Sequence, residues 1–242
     1  MKKIKIIIAT LTASLGAAAL MSGCTLAGLS MQKDYNRVTN VDTIDAHVYK
    51  TAWAYMKARA YGSNTDTIFR RMYDGVIYSG IDTNEYIKPG RTFIFLQNGA
   101  VTSQLWPKYK NGTVAGTKWQ SFSKADVKNY LSYLILLAQY SHYNLPLQDV
   151  KAQTLAPAGA FTTNPPGMLA PVASGTTYNP NPNSIMLIHV SNANTVTSQL
   201  DYPIVLNTNS NIAVSDLLAT NGVIQVQSST SAAVVAPFFP AQ

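Results

Sequence analysis

Residues 215–226 read Ser215-Asp216-Leu217-Leu218-Ala219-Thr220-Asn221-Gly222-Val223-Ile224-Gln225-Val226. A polar turn closes on Asn-Gly, and a β-favouring run follows. Asn-Gly tolerates positive φ, so it makes a tight lead-in to a strand over 223–226. Upstream, residues 185–190, 202–206 and 212–214 are further strand-like runs separated by Asn-rich turns. The first half is different. Ile44, Val48, Ala52, Tyr55 and Met56 fall near helical spacing, which predicts a helix over 43–59. A second helix is expected over 67–79, with Asp66 as its N-cap, Gly80 as its stop, and Ile68, Met72 and Val76 turned inward. Ser123-Lys124-Ala125-Asp126 has the form of a capping box and opens a third helix, expected to run to about residue 140. Pro89-Gly90 signals a turn, and Thr92-Phe93-Ile94-Phe95-Leu96 a short buried strand. Helices first and strands second predict an α+β fold with antiparallel strands, not a doubly wound sheet.

Between the two halves, residues 156–184 lose all periodicity. Asn164-Pro165-Pro166-Gly167 and Asn179-Pro180-Asn181-Pro182 lie in a stretch rich in Pro, Gly, Asn and Thr. Proline cannot donate to a ladder, so this stretch is expected to be a long inserted loop.

The N-terminus has its own logic. Met1-Lys2-Lys3-Ile4-Lys5 is a short basic segment, an apolar run follows to Met21, and the run ends in Leu20-Met21-Ser22-Gly23-Cys24. That layout resembles a secretion signal over 1–23 closing on a bacterial lipobox. Cys24, the only cysteine in the sequence, would then carry the acyl chains, palmitate among them, that hold the chain to a membrane. Residues 24–41 follow as a tether, 42–235 as one domain, and 236–242 as a tail. Intrachain disulfides are excluded.

The sequence holds 18 Lys+Arg against 11 Asp+Glu, and three of the lysines lie within the signal. Beyond it the net charge falls from +7 to +4, with no basic run, which argues against nucleic acid as a partner.

The strongest family resemblance grows from residues 215–226, which resemble the second signature of the fasciclin-like domain. Gln225 stands where that family commonly has His. The family's first signature is a Thr-led strand followed by Asn and Ala at a helix start; Thr92, Asn98 and Ala100 fit it. Tyr140 and His142 lie where the family carries Tyr-His, and Thr154-Leu155 resembles the following strand start. Lys33-Asp34-Tyr35 and Trp53 further resemble fasciclin-like lipoproteins of Bacteroidota. This resemblance implies an outer-membrane location, lipid-anchored, with the cell surface favoured over the periplasm. It also implies an accessory role beside SusC/SusD-type importers in nutrient uptake; the alternative it leaves open is adhesion. Thr25-Leu26-Ala27-Gly28-Leu29-Ser30 has no acidic residue, which keeps a periplasm-facing orientation open.

Chemistry-bearing constellations are scarce. His47, His142 and His189 lie in different predicted elements. No metal-ligand spacing, nucleophile elbow or phosphate loop occurs, so the expectation is a non-enzyme without cofactor or metal. A hydrolase would need aspartates such as Asp74, Asp82 and Asp126 to converge. For binding, the richest segment is 104–120, where Trp106, Tyr109 and Trp119 sit among Pro107, Gly112 and Gly116. Flat aromatics there could stack on glycan rings or peptide side chains; the plainer alternative is that they cover the core beside the third helix.

Overall fold

The computed structural model describes residues 46–63, 65–108, 110–111, 114–157, 160, 185–191, 202–207 and 210–230. Cys24, the expected signal, tether and tail, Tyr109 and nearly all of the insertion lie outside them. Every described residue belongs to one compact unit, Ala46–Gln242.

This unit is α+β. Helix α1 spans Ala52–Tyr61, later than the periodicity predicts. Residues 46–50 are held instead by backbone pairing with residues 218–220, through a bridge between His47 and Leu218. Val48 N–H donates to Leu218 O (2.9 Å), Leu218 N–H to Ala46 O (2.8 Å) and Thr220 N–H to Lys50 O (3.0 Å). These bonds override helix propensity upstream. Thr51 then caps the helix, its hydroxyl accepting from Ala54 N–H at 3.2 Å.

Helix α2 spans Arg70–Ser79 and stops, as expected, at Gly80 in the left-handed region (φ 66°). Its start differs from expectation. Asp66 pairs with Arg59 (2.5 Å) rather than capping. The cap comes from far along the chain: Asn98 Oδ1 accepts from Arg71 N–H (2.8 Å), and Asn98 Nδ2 donates to Thr67 O (2.6 Å).

Helix α3 spans Lys124–Tyr133, capped at Ser123, whose Oγ accepts from Asp126 N–H at 3.1 Å. It ends well before residue 140. Ile135–Leu136 becomes strand β4 and pairs antiparallel with Phe93 and Thr92 of strand β1, Arg91–Leu96. The apolar spacing of Leu134 and Ala138 suits a helix, but pairing with β1 wins.

Three sheets follow. The hairpin β2 (Lys110–Asn111) and β3 (Val114–Ala115) stands alone. Strands β5 (Val150–Gln153), β6 (Ile185–Val190), β7 (Ile204–Leu206) and β8 (Ser210–Asn211) form an antiparallel sheet in that order. The principal sheet adds β9 (Val214–Ala219) and β10 (Gly222–Gln227) to β1 and β4, in the order β4-β1-β10-β9. Residues expected as a polar turn are thus mostly strand β9, and the turn shrinks to Thr220-Asn221.

One pairing departs from the antiparallel expectation. β1 and β10 run parallel, from Arg91↔Gly222 to Leu96↔Gln227. Both are enclosed on each face, as parallel strands generally are, and Thr92 to Leu96 and Gly222 to Gln227 are all buried. Phe69 meets Phe95 edge-on (5.2 Å between centroids), and Tyr86 stacks on Phe93 (5.9 Å). Complete burial of Phe93 and Phe95 contributes about 1.5–3 kcal/mol apiece.

Asn221-Gly222 earns its place differently from the expected positive φ; neither residue has one. Asn221 Oδ1 accepts from Ala52 N–H at the start of α1 (2.8 Å), while its Nδ2 donates to Tyr86 O (3.0 Å) and Lys88 O (3.2 Å). A Cβ on Gly222 would lie 2.1 Å from Arg91 O. One residue is a hub and the other a site of close backbone approach.

Candidate functional site

Helices α1 and α2 and the segment after β1 enclose a cleft of about 630 Å³, a size suited to a small ligand. Lys57 and Tyr61 reach it from α1; Arg71, Tyr73, Asp74 and Ile77 reach it from α2. Gln97 follows the end of β1, and a π-helical stretch, Ala100–Leu105, runs into one helical turn, Trp106–Lys108. Trp106 N–H donates to Val101 O, five residues back, which sets the indole into the cleft wall. A 3₁₀ turn, Trp119–Ser121, brings in Trp119, with Lys118 and Gln120 on either side.

Gly75 makes this wall possible. A Cβ there would lie 2.7 Å from Trp119 Cε2, so the bare helix backbone seats the indole. Trp119 Nε1 then donates to Arg71 O (2.6 Å), and Trp106 meets Trp119 edge-on at 5.8 Å. The Arg71 guanidinium lies 5.7 Å from the Trp106 ring centroid, within cation–π range.

Trp106 and Trp119 are only 5% and 2% exposed. They cover the core and line the cleft at once, but offer solvent no open ring face. Trp106 Nε1 is buried with no acceptor among the described residues, which costs about 1–3 kcal/mol. Tyr109, the third aromatic of the segment, lies outside the described residues.

The open aromatic surface comes instead from Tyr61, 51% exposed. Its ring meets Tyr73 edge-on (5.4 Å), carries the Arg70 guanidinium at 5.0 Å, and its hydroxyl donates to Asp74 Oδ1 (2.5 Å). That bond to a carboxylate, helped by burial, holds the Tyr61 hydroxyl above the ordinary phenol range. Tyr73 is fixed from behind by Trp53, stacked at 5.2 Å. Ile77 adds an apolar rim, 56% exposed.

The charge is lopsided. Lys57, Arg71 and Lys118 are exposed, and no carboxylate pairs with any of them among the described residues. Among the described residues Asp74 is the one carboxylate in the lining.

A second constellation is structural. His142 is buried, with Nδ1 2.7 Å from Asp216 Oδ2 and Nε2 2.7 Å from Tyr202 O. Both neighbours are acceptors, so a ring N–H on either nitrogen finds a partner. Asp216, at φ 57°, also accepts from His142 N–H (3.2 Å) and from Gln225 Nε2 (2.8 Å). Burial pushes its carboxyl up, but the bonds from His142 and Gln225 outweigh it and hold the group below the usual range. Gln225 further accepts from Asp216 N–H (3.0 Å) and donates to Tyr140 O (3.1 Å). Gln225 is thus the bridge of this network, using its amide oxygen and both amide hydrogens.

The aspartates a hydrolase would need are engaged locally. Asp74 accepts from Tyr61, Asp82 from Asn84 N–H (2.9 Å), and Asp126 from Ser123 Oγ (2.6 Å). Asp74 and Asp82 open onto different depressions. His189 pairs with Asp149 at 2.7 Å. Among the described residues no three His, Cys, Asp or Glu side chains gather to hold a metal, and no helix is long and apolar enough to cross a membrane.

Sequence reasoning found the segment carrying Trp106 and Trp119 but missed Lys57, Tyr61, Arg71 and Asp74. Ile77 was the available signal: a large apolar residue on the outward side of an amphipathic helix. No protein-family model matches the chain, and no curated protein matches it.

Proposed function

We propose that this chain is a lipid-anchored, fasciclin-like protein of the outer membrane. Its role is non-catalytic: it binds a ligand as an accessory of a SusC/SusD-type nutrient importer. The cleft is the observation that carries the binding role, because it joins cations that have no carboxylate partner among the described residues, a carboxylate and an exposed tyrosine in a ligand-sized hollow. The lipobox-like Leu20-Met21-Ser22-Gly23-Cys24 supports the anchor. Three motifs support the family: Thr92 at the head of a buried strand, Asn98 before a helical segment, and Asn221-Gly222 opening β10. The packing of β10 beside β1 is in keeping with two signatures that belong to one sheet.

Affinity purification of the full chain from native membranes tests the reading. Importer subunits are expected to co-purify, and Cys24→Ala is expected to move the protein out of the membrane fraction. An unchanged membrane fraction for Cys24→Ala, or no importer subunit in the eluate, overturns it.

A further inference from the structure

We infer that the cleft takes an acidic oligosaccharide, a short glycan bearing uronate carboxylates or sulfates; this deepens, and rests on, the ligand-binding role just proposed. Three observations select that chemistry. First, Lys57, Arg71 and Lys118 line one hollow and have no carboxylate partner among the described residues, in a sequence of which only 12% is charged. Anions are therefore drawn to this hollow, and Arg71 presents a fork that matches a carboxylate or sulfate.

Second, Asp74 stands among those cations with its Oδ1 taken by Tyr61. A carboxylate repels a ligand that is anionic all over, such as a dense polyphosphate. It accepts from hydroxyls, which a sugar supplies between its charged groups. The exposed amide of Gln120, able to donate and accept, serves the same purpose beside Lys118. Third, Tyr61 and Ile77 give the rim an apolar surface on which the C–H face of a pyranose packs. An acidic peptide would meet the cations but brings few hydroxyls to Asp74.

Calorimetric titration of the full chain tests this. The probes are tetragalacturonate and a sulfated, heparin-derived tetrasaccharide, against a neutral galactose tetrasaccharide and a hexaglutamate peptide. One or both acidic sugars are expected to bind, with affinity falling as salt rises. Lys118→Gln, at an exposed side chain, is expected to weaken binding about ten- to a hundredfold at unchanged melting temperature, and Arg71→Gln by a similar factor with a small drop in melting temperature from the lost contact with Trp106. Asp74→Asn is expected to weaken the acidic sugars while leaving hexaglutamate binding no worse. Equal or better binding of the neutral sugar or of hexaglutamate overturns the inference, as does no binding of either acidic sugar. The membrane purification is scored separately, so a wrong ligand class with importer subunits still co-purifying leaves the accessory role standing.

Discussion

At the scale of single residues, two buried side chains make opposite predictions. Tyr86 is fully enclosed and its hydroxyl has no partner among the described residues; burial alone pushes that hydroxyl far above the phenol range. Tyr86→Phe removes an orphaned donor and keeps the ring on Phe93. Chemical denaturation is expected to show the variant as stable as the parent or more so, by up to about 1–3 kcal/mol. Asn221 is the reverse case, with all three of its side-chain bonds made to backbone. Asn221→Ala leaves Ala52 N–H and two carbonyls without partners and is expected to lower stability by about 2–4 kcal/mol in the same assay. The Asn-Gly dipeptide was legible in the sequence as the start of a strand. Its reason was not, because Ala52, Tyr86 and Arg91 reach it across more than a hundred residues, and no local pattern records that.

At the scale of elements, residue types that act locally were readable and ends set by distant partners were not. Gly80 stops α2 and Ser123 opens α3 as their chemistry predicts. The start of α1 and the end of α3 moved because pairing with β9 and β1 took residues that helical spacing had claimed. The loop around His142 is joined to the β9–β10 hairpin by Asp216, and this joint has a pH signature. The folded carboxyl of Asp216 lies below its ordinary value of 3.8, so its contribution is present above that value and is lost as acid protonates the folded group. Glu85, lowered by its bond to Lys88 and by Arg91, acts in the same direction. Denaturation midpoints are therefore expected to hold from neutrality to about pH 5 and fall below about pH 4. Asp216→Asn is expected to lower stability at neutrality by about 1.5–3 kcal/mol, with a shallower acid limb than the parent. Between α2 and the Trp119 turn, Gly75→Ala drives a methyl into the indole. Near-ultraviolet circular dichroism is expected to change while far-ultraviolet spectra hold, with ligand binding weakened.

At the scale of the whole molecule, the cleft is a composite of two helices and a turn that lies some 40 to 60 positions further along the chain. Only the later part was visible as a cluster of aromatics; the basic and tyrosine-bearing part was dispersed over two amphipathic helices. The fold is likewise composite. β1 has its antiparallel neighbour β4 within reach, but its other flank is filled by β10, whose residues arrive more than a hundred positions later. A chain ending before Gly222 is expected to show helical signal without a cooperative unfolding transition, measured by thermal melts of the truncated form. A ribosome making this protein must therefore reach Gln227 before the central sheet can close. Until then Phe93, Ile94 and Phe95 lack the neighbour that closes their free flank, so the arrival of β10 sets the moment at which the central sheet can form.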